Sequence, residues 1–434
     1  MRTRFSVAAV VGATLLTACN LDLNNPNTPT EKDVLTTREG IVALAIGLQA
    51  RYGAGMVDFM FPVGLLTDEL GATPGALQSY KDAENNVLLN TYDAVQVPWA
   101  SHYRTIKTAN DLIVNAPNVT LGDSTLSGIL TISYLFKAMS LGELLQLYER
   151  IPIDTYDNPT PPFVDRTGTL SAVLWLLDSA LTQYNAVRPG SEFNTSIRAS
   201  GLNVKNTIFA MQGRYHRLAG NDAAALAAAD SVDPSVLSFM PFSDQALNPI
   251  YDLSFRAAYV KPRDAWRLSL DSTADSLDGR KTYHVTVATI SGNVSALDNL
   301  AQHTAANSPI PFYYPGEMHL IIAEALTNLG NTAAARDTVN FIRTRCGGTL
   351  NEPKACLAAL PDTLLDTPSE LLDEIYRQRR YELFATGLRW EDARRRDAIG
   401  GGGFAKRCWL LYPRTDRETN PNTPADPPDT LTAC

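Results

Sequence analysis

Two stretches of this chain follow one pattern: apolar residues at helical spacing, a Gly-Asn break, and a second, alanine-rich helical run. In the first, Ile208, Phe209, Met211, Tyr215 and Leu218 lead to Gly220-Asn221 and on from Ala223 to Val232. In the second, Leu320, Ile321, Ala323, Ala325 and Leu329 lead to Gly330-Asn331, with Ala334, Val339 and Ile342 beyond. Alanine lets paired helices approach closely, and glycine at the break reaches the left-handed conformation that ends a helix. Such a unit cannot bury its apolar face alone, so repeated units stack into a tetratricopeptide-like array. Isolated antiparallel helical hairpins are the plainer alternative.

Helical spacing recurs elsewhere. Ile41, Leu44, Leu48 and Tyr52 mark a helix over 40–52, with Thr36 and Thr37 before it as caps, and the period returns over 99–114, 126–147, 170–184 and 204–218. The fold class expected is all-α for the most part, tetratricopeptide-like helix pairs with little β structure. Residues 36–434 are expected to form one helical domain with loop-rich excursions at about 71–98 and 239–308, where Gly, Pro, Asn, Tyr and Ser interrupt the period. Within the second excursion, the alternation Tyr283-His284-Val285-Thr286-Val287 predicts a short strand. The tail from Asp397, with Gly400 to Gly403 and many Pro, Asn and Thr residues, is expected to wrap a surface rather than build a core.

The first residues carry Arg2 and Arg4, an apolar stretch from Phe5 to Leu16, and the tetrad Leu16-Thr17-Ala18-Cys19. This is the pattern of a secretory signal over 1–18 ending in a lipoprotein cleavage box. The apolar run is shorter than the roughly 20 residues that span a bilayer, and no other segment is expected to be long and apolar enough. Cys19 is the expected lipidation site, which anchors without spanning, and 19–35 is expected to be a flexible tether. If Cys19 carries lipid, Cys346, Cys356, Cys408 and Cys434 remain, an even set that suits two disulfides in an oxidising envelope. Four cysteines allow three connectivities. Pairing Cys346 with Cys356 and Cys408 with Cys434 closes the most local loops, and free thiols are the alternative. With 46 acidic and 37 basic residues, the formal charge of −9 argues against nucleic acid as a partner.

Catalytic patterns fail on context. Gly122-Asp123-Ser124-Thr125 is similar to a Gly-Asp-Ser hydrolase block, but no His has an Asp three residues earlier, so Asp123 or Ser124 is expected to cap a helix instead. His102, His216, His284, His303 and His319 are scattered, with no i, i+4 pair to hold a metal. Gly400 to Gly403 with Lys406 lacks the Gly-Lys-Ser/Thr ending of a phosphate loop. In Asp68-Glu69 and Glu391-Asp392 the two carboxylates are neighbours that do not face a shared bond, unlike a glycosidase pair. No cofactor, metal or enzymatic activity is expected.

Recognition remains. Sugars present apolar ring faces and hydroxyl rims, so a carbohydrate site needs aromatic platforms beside polar groups. Two segments have that mixture: Tyr80, Lys81, Asn85, Asn86, Tyr92 and Gln96 in the first excursion, and Tyr251, Arg256, Tyr259, Arg263, Trp266 and Tyr283 in the second. They are expected to meet over one ligand-facing surface. The plainer alternative is that these aromatics pack their own loops onto the helices.

The region from Ser369 to Arg396 contains Arg379, Arg380, Glu382 and Leu383, then Gly387, Arg389, Trp390, Asp392, Arg394 and Arg395. This Arg-Arg-x-Glu-Leu then Gly-x-Arg-Trp-x-Asp-x-Arg-Arg order resembles the C-terminal signature of the SusD/RagB family. The Leu-Asp-Leu-Asn-Asn-Pro stretch after Cys19, Asp68-Glu69, Ala323-Glu324-Ala325 and Tyr412-Pro413 extend the resemblance. The resemblance implies a lipid-anchored lipoprotein of the cell outer membrane, palmitoylated at its N-terminus. It would sit over a TonB-dependent, SusC-like channel and hand it oligosaccharides or other nutrients. The interleaved charges and aromatics of the signature point to an ion-pair network that fixes the last helices rather than to a ligand site. A non-catalytic interaction scaffold and a glycan hydrolase are the competing functions.

Overall fold

The computed structural model describes residues 30–263, 277–286, 299–396 and 405–428. The chain runs through α1 (Glu31–Thr36), α2 (Arg38–Leu66), β1 (Leu70–Ala72), α3 (Gln78–Glu84), α4 (Asp93–Asn115), α5 (Asp123–Leu147), β2 (Ile151–Pro152), β3 (Phe163–Val164), α6 (Arg166–Ala186), α7 (Val204–Leu218) and α8 (Asp222–Asp230). It continues through β4 (Phe239–Met240), β5 (Val260–Pro262), α9 (Arg280–His284), β6 (Val285–Thr286), β7 (Asn299–Leu300), β8 (Ile310–Pro311), α10 (Pro315–Asn328), α11 (Thr332–Thr344), α12 (Pro368–Glu382), α13 (Arg389–Arg395) and α14 (Arg414–Thr419).

The repeated sequence pattern becomes a repeated structure. Gly220 (φ +73°) ends α7 and Gly330 (φ +81°) ends α10. The same pair of bonds closes each turn: Asn221 N–H donates to His216 O and Gly220 N–H to Arg217 O, as Asn331 does to Leu326 O and Gly330 to Thr327 O. This satisfies carbonyls that a helix end otherwise leaves without partners. α7 packs on α8 and α10 on α11, and α10 also packs on α8, so the two pairs stack. Ala225, Ala229, Ala323, Ala325 and Ala335 are buried in these contacts. The body is helical, with tetratricopeptide-like pairs, and the strands form two-stranded ribbons.

Several expectations need correction. α2 and α5 are both long and apolar enough, by length and composition, to cross a membrane. α5 is instead surrounded by α2, α4, α6 and α7, with 83% of its apolar window inside the protein. The expected tether ends before residue 31, because Thr30 and Asp33 form a capping box that starts α1, which packs on α2 and α4. The first excursion holds α3, and α4 begins at Asp93 rather than Trp99 despite Pro98 within it. Burial of Ala94 and Val95, with Tyr148 Oη donating to Val95 O at 2.5 Å, stabilises that first turn. Gly122, not Asp123 or Ser124, is the N-cap of α5, and Asp123 sits in the first turn, where its charge meets the helix dipole. Tyr283 and His284 close α9, leaving only Val285 and Thr286 of the expected strand among the described residues.

The tail also differs from expectation. Leu410 and Tyr412 are fully buried, Leu410 N–H donates to Leu147 O, and Tyr412 lies against Trp99, Tyr148 and Phe163. The main core cluster therefore takes residues from Ile41 to Tyr412. Proline and glycine content hid this, because a strap without regular structure still buries its aromatics when helices leave a seam for them.

Candidate functional site

The two excursions meet through β1 and β5, which pair antiparallel with Gly71 opposite Lys261. Arg263, just beyond β5, forms an ion pair with Asp68 and another with Glu84 at 2.6 Å, while its backbone N–H donates to Glu69 O. This clamp sets Tyr80 on α3 against Tyr259 before β5, with ring centroids 6.3 Å apart, and Phe61 of α2 lies 4.7 Å from Tyr80. The three rings belong to a recess of about 260 Å³ that also takes in Asp58, Asp93, Pro98 and Leu253.

A second recess of about 430 Å³ adjoins it along α2 and α4, lined by Arg51, Ala54, Asp58, Gln96, Ala100, Ser101 and Arg104. Asp58 and Val97 line both, so the two form one groove. The lining positions 51, 54 and 58 on α2 and 97, 100, 101 and 104 on α4 each follow the spacing of one helix face. Close approach of the helices depends on Gly55, where a Cβ would lie 2.4 Å from Ser101 Oγ. Burial raises the Asp58 carboxyl to about 6, against the opposing pull of the Ser101 hydrogen bond and the Arg104 charge.

Sequence reasoning placed some of these groups and missed others. Tyr80 and Tyr259 come together in the groove. Asn85 and Asn86 instead finish α3: Asn85 Nδ2 donates to Lys81 O, and Asn86 takes a left-handed conformation at φ +61°. Tyr92 Oη donates to Asp82 at 2.9 Å, bracing the same loop. Tyr251 stacks on Phe255 at 5.6 Å, and Arg256 pairs with Asp252. Tyr283 does not join the surface: it packs against Tyr314, and its hydroxyl donates to Asn351 O. Trp266, Cys19 and Cys434 lie outside the described residues. Asp58, Arg51, Arg104 and Ser101 sit on regular helices, away from the loop aromatics that mark a sugar site in sequence. Polar residues repeating along one face of α2 and of α4 were the signal available.

The C-terminal signature lies elsewhere, inside the protein. Asp392 accepts from Arg379 Nε at 2.8 Å and Arg217 Nη2 at 2.5 Å, and Arg217 also reaches Glu324 at 2.6 Å. Burial alone would raise the Asp392 carboxyl, but Arg379 and Arg217 outweigh it and hold it at about 2. Glu382 is held by Arg345 at 2.7 Å and Arg280 at 3.5 Å, and Arg394 bridges Glu391 with the carbonyls of Gln146 and Cys408. Trp390 donates its indole N–H to Arg407 O. Gly387 adopts φ +87°, a conformation open to glycine, in the turn between α12 and α13. Arg389 and Arg380 face Glu69, whose carboxyl burial nonetheless raises to about 7.

Leu383, Phe384, Ala385, Thr386 and Leu388 of the turn between α12 and α13 line a cavity of about 80 Å³ beside Phe59, Phe312 and Glu143. Tyr52 Oη donates to Glu143 there at 2.5 Å, and burial raises Glu143 to about 7. His102, 3.4 Å from Glu143, is lowered to about 3 by burial and is neutral at physiological pH. Cys346 and Cys356 form a disulfide, and Cys408 is also disulfide-bonded.

Residues 264–422 match the family model described as SusD family. No curated protein matches the sequence. Among solved structures, a SusD superfamily protein from Bacteroides thetaiotaomicron VPI-5482 superposes with a TM-score of 0.68 at 16% identity, covering 92% of this chain and 99% of that one. A SusD-like carbohydrate binding protein from Bacteroides vulgatus ATCC 8482 gives 0.65 at 14% identity, covering 83% and 84%. NanU of B. fragilis gives 0.65 at 15% identity, covering 94% and 100%. The structural likenesses establish the fold, and residues 264–422, the segment holding the buried signature network, are those that match the SusD family.

Proposed function

We propose that this chain captures glycans in the groove between α2 and α4 and delivers them to a TonB-dependent channel, without catalysis. The observation that carries the reading is the meeting of Tyr80, Tyr259 and Phe61 beside Asp58 and Ser101 in one open groove. Aromatic faces suit pyranose rings, and carboxylate and hydroxyl groups suit their hydroxyl rims. The B. vulgatus relative is itself a SusD-like carbohydrate binding protein, and the resemblance to the family implies a place at the outer membrane. Anchoring through lipid on Cys19 fits that placement. The signature residues Arg379, Arg380, Glu382, Gly387, Arg389, Trp390, Asp392 and Arg394 hold the scaffold and do not touch ligand.

Calorimetric titration of the full chain against plant, bacterial and host oligosaccharides and peptides, with product analysis of each mixture, tests this. Saturable glycan binding without products, weakened by Tyr80→Ala and Tyr259→Ala, is the expected result. Absence of any binding would favour an interaction scaffold, and released sugars would identify a hydrolase. Co-purification of the membrane-anchored chain with a channel protein, lost in Cys19→Ser, tests the delivery step.

A further inference from the structure

The groove is electrically uneven. Asp93 borders its aromatic end, Arg51 of α2 and Arg104 of α4 line the far recess, and Asp58 lies between them and lines both. Buried arginines such as Arg214 and Arg217 are tied to carboxylates, whereas Arg51 and Arg104 are exposed to solvent. Among the described residues, neither Arg51 nor Arg104 has an acidic partner at ion-pair distance, and neither guanidinium donates a hydrogen bond. Arg104 exerts only a longer-range pull on Asp58, whose carboxyl is engaged by Ser101. Between the two arginines lie Ala54 and Ala100, which leave the recess open. Two cations lining one hollow repel each other, and an anion placed there relieves the repulsion.

We propose that this end of the groove is a subsite for the anionic substituent, carboxylate or sulfate, of an acidic oligosaccharide whose ring stacks on Tyr80 and Tyr259 at the other end. This rests on the glycan-capture reading and names the ligand class for it. Planar guanidinium forks suit both oxyanions, which they bind through paired hydrogen bonds. Arg51 and Phe61 are ten residues apart on α2, about 15 Å along its axis. The charged unit is therefore a different sugar from the stacked one, and a monosaccharide does not span both. Asp58, between the ends, repels an anion from the middle of the groove and directs it to the arginines.

The test is calorimetry of the full chain with an oligogalacturonate, a sulfated chondroitin oligosaccharide and a neutral xylo-oligosaccharide of matched length. One acidic ligand is expected to bind about tenfold or more tighter than the neutral one, with the advantage shrinking as salt rises. Preference for the galacturonate assigns carboxylate, and preference for the chondroitin assigns sulfate. In the double variant Arg51→Gln, Arg104→Gln, acidic affinity is expected to fall to the level of the neutral ligand on that variant, removing the acidic preference; an unaltered thermal melt confirms folding. Equal affinity for acidic and neutral ligands, or an acidic preference that survives the double variant, overturns the proposal while leaving glycan capture standing. No binding of any saccharide overturns both.

Discussion

The interior around Asp392 and the groove around Asp58 use the same residue types to opposite ends. Inside, Asp392 sits between Arg379 and Arg217, and its carboxyl is held at about 2. In the groove, Asp58 has a serine hydroxyl and a more distant Arg104, and burial leaves its carboxyl at about 6. A network whose charges are paired is worth keeping only if it stays whole, because removing one member leaves its partners charged and buried. Groove residues do not hold the fold together, and the buried Asp58 carboxylate costs it stability at neutral pH. The contrast separates the part of the molecule that fixes helices from the groove proposed to bind a glycan.

The most disruptive way to probe the contrast is Asp392→Ala, which strands Arg379 and Arg217 in the interior. It is expected to destabilise by about 3–5 kcal/mol, read by chemical denaturation. A loss below about 1 kcal/mol would show that water reaches the network and that it is not the scaffold's clamp. Removing the Cys346–Cys356 bridge, with its sequence separation of 10, is expected to cost about 2–3 kcal/mol through loop entropy. Thermal melting of the double variant Cys346→Ser, Cys356→Ser against the unaltered protein checks it.

The two carboxylates also differ in the sign of their pH dependence. Asp58 is raised from 3.8 to about 6, so its contribution is full below 3.8 and is lost as pH rises through 6. Asp392 is lowered from 3.8 to about 2, so its contribution is present above 3.8 and lost as pH falls through 2. Asp58→Asn is therefore expected to stabilise the protein at pH 8 by about 1–2 kcal/mol and to do nothing below pH 3.8, as measured by melts across pH. Equal effects at both pH values would mean that Asp58 is not desolvated. Smallest of all, Arg51→Gln is expected to change stability by no more than about 0.5 kcal/mol, since its side chain holds nothing in place. A larger loss would move Arg51 from the proposed binding groove to the supporting part of the molecule.

Much of the scaffold was legible because its signals are local. Gly220-Asn221 and Gly330-Asn331 announce their turns through glycine's left-handed freedom, and the apolar spacing between them announces the helices. Less legible was whatever depended on a distant partner. Pro98 marked a helix start at Trp99, yet packing of Ala94 and Val95 extends α4 back to Asp93. A tail rich in Pro and Gly suggested a surface wrap, yet Trp99, Tyr148 and Phe163 give Tyr412 a buried seat. Of the expected surface, Tyr80 and Tyr259 do come together, whereas Tyr283 lies elsewhere, and Asp58 went unnoticed.

By itself the sequence determined the helical repeat, its glycine-ended turns and the charged-aromatic signature of α12 and α13, since each is carried by residues within a few positions of one another. Tertiary structure alone decided that β1 and β5 draw the two excursions together, that α2 and α4 approach closely enough at Gly55 to form a groove, and that Arg51 and Arg104 share a recess with Asp58. Those juxtapositions join residues far apart in the chain. Their geometry is set by the sum of packing across the core, which no local spacing encodes.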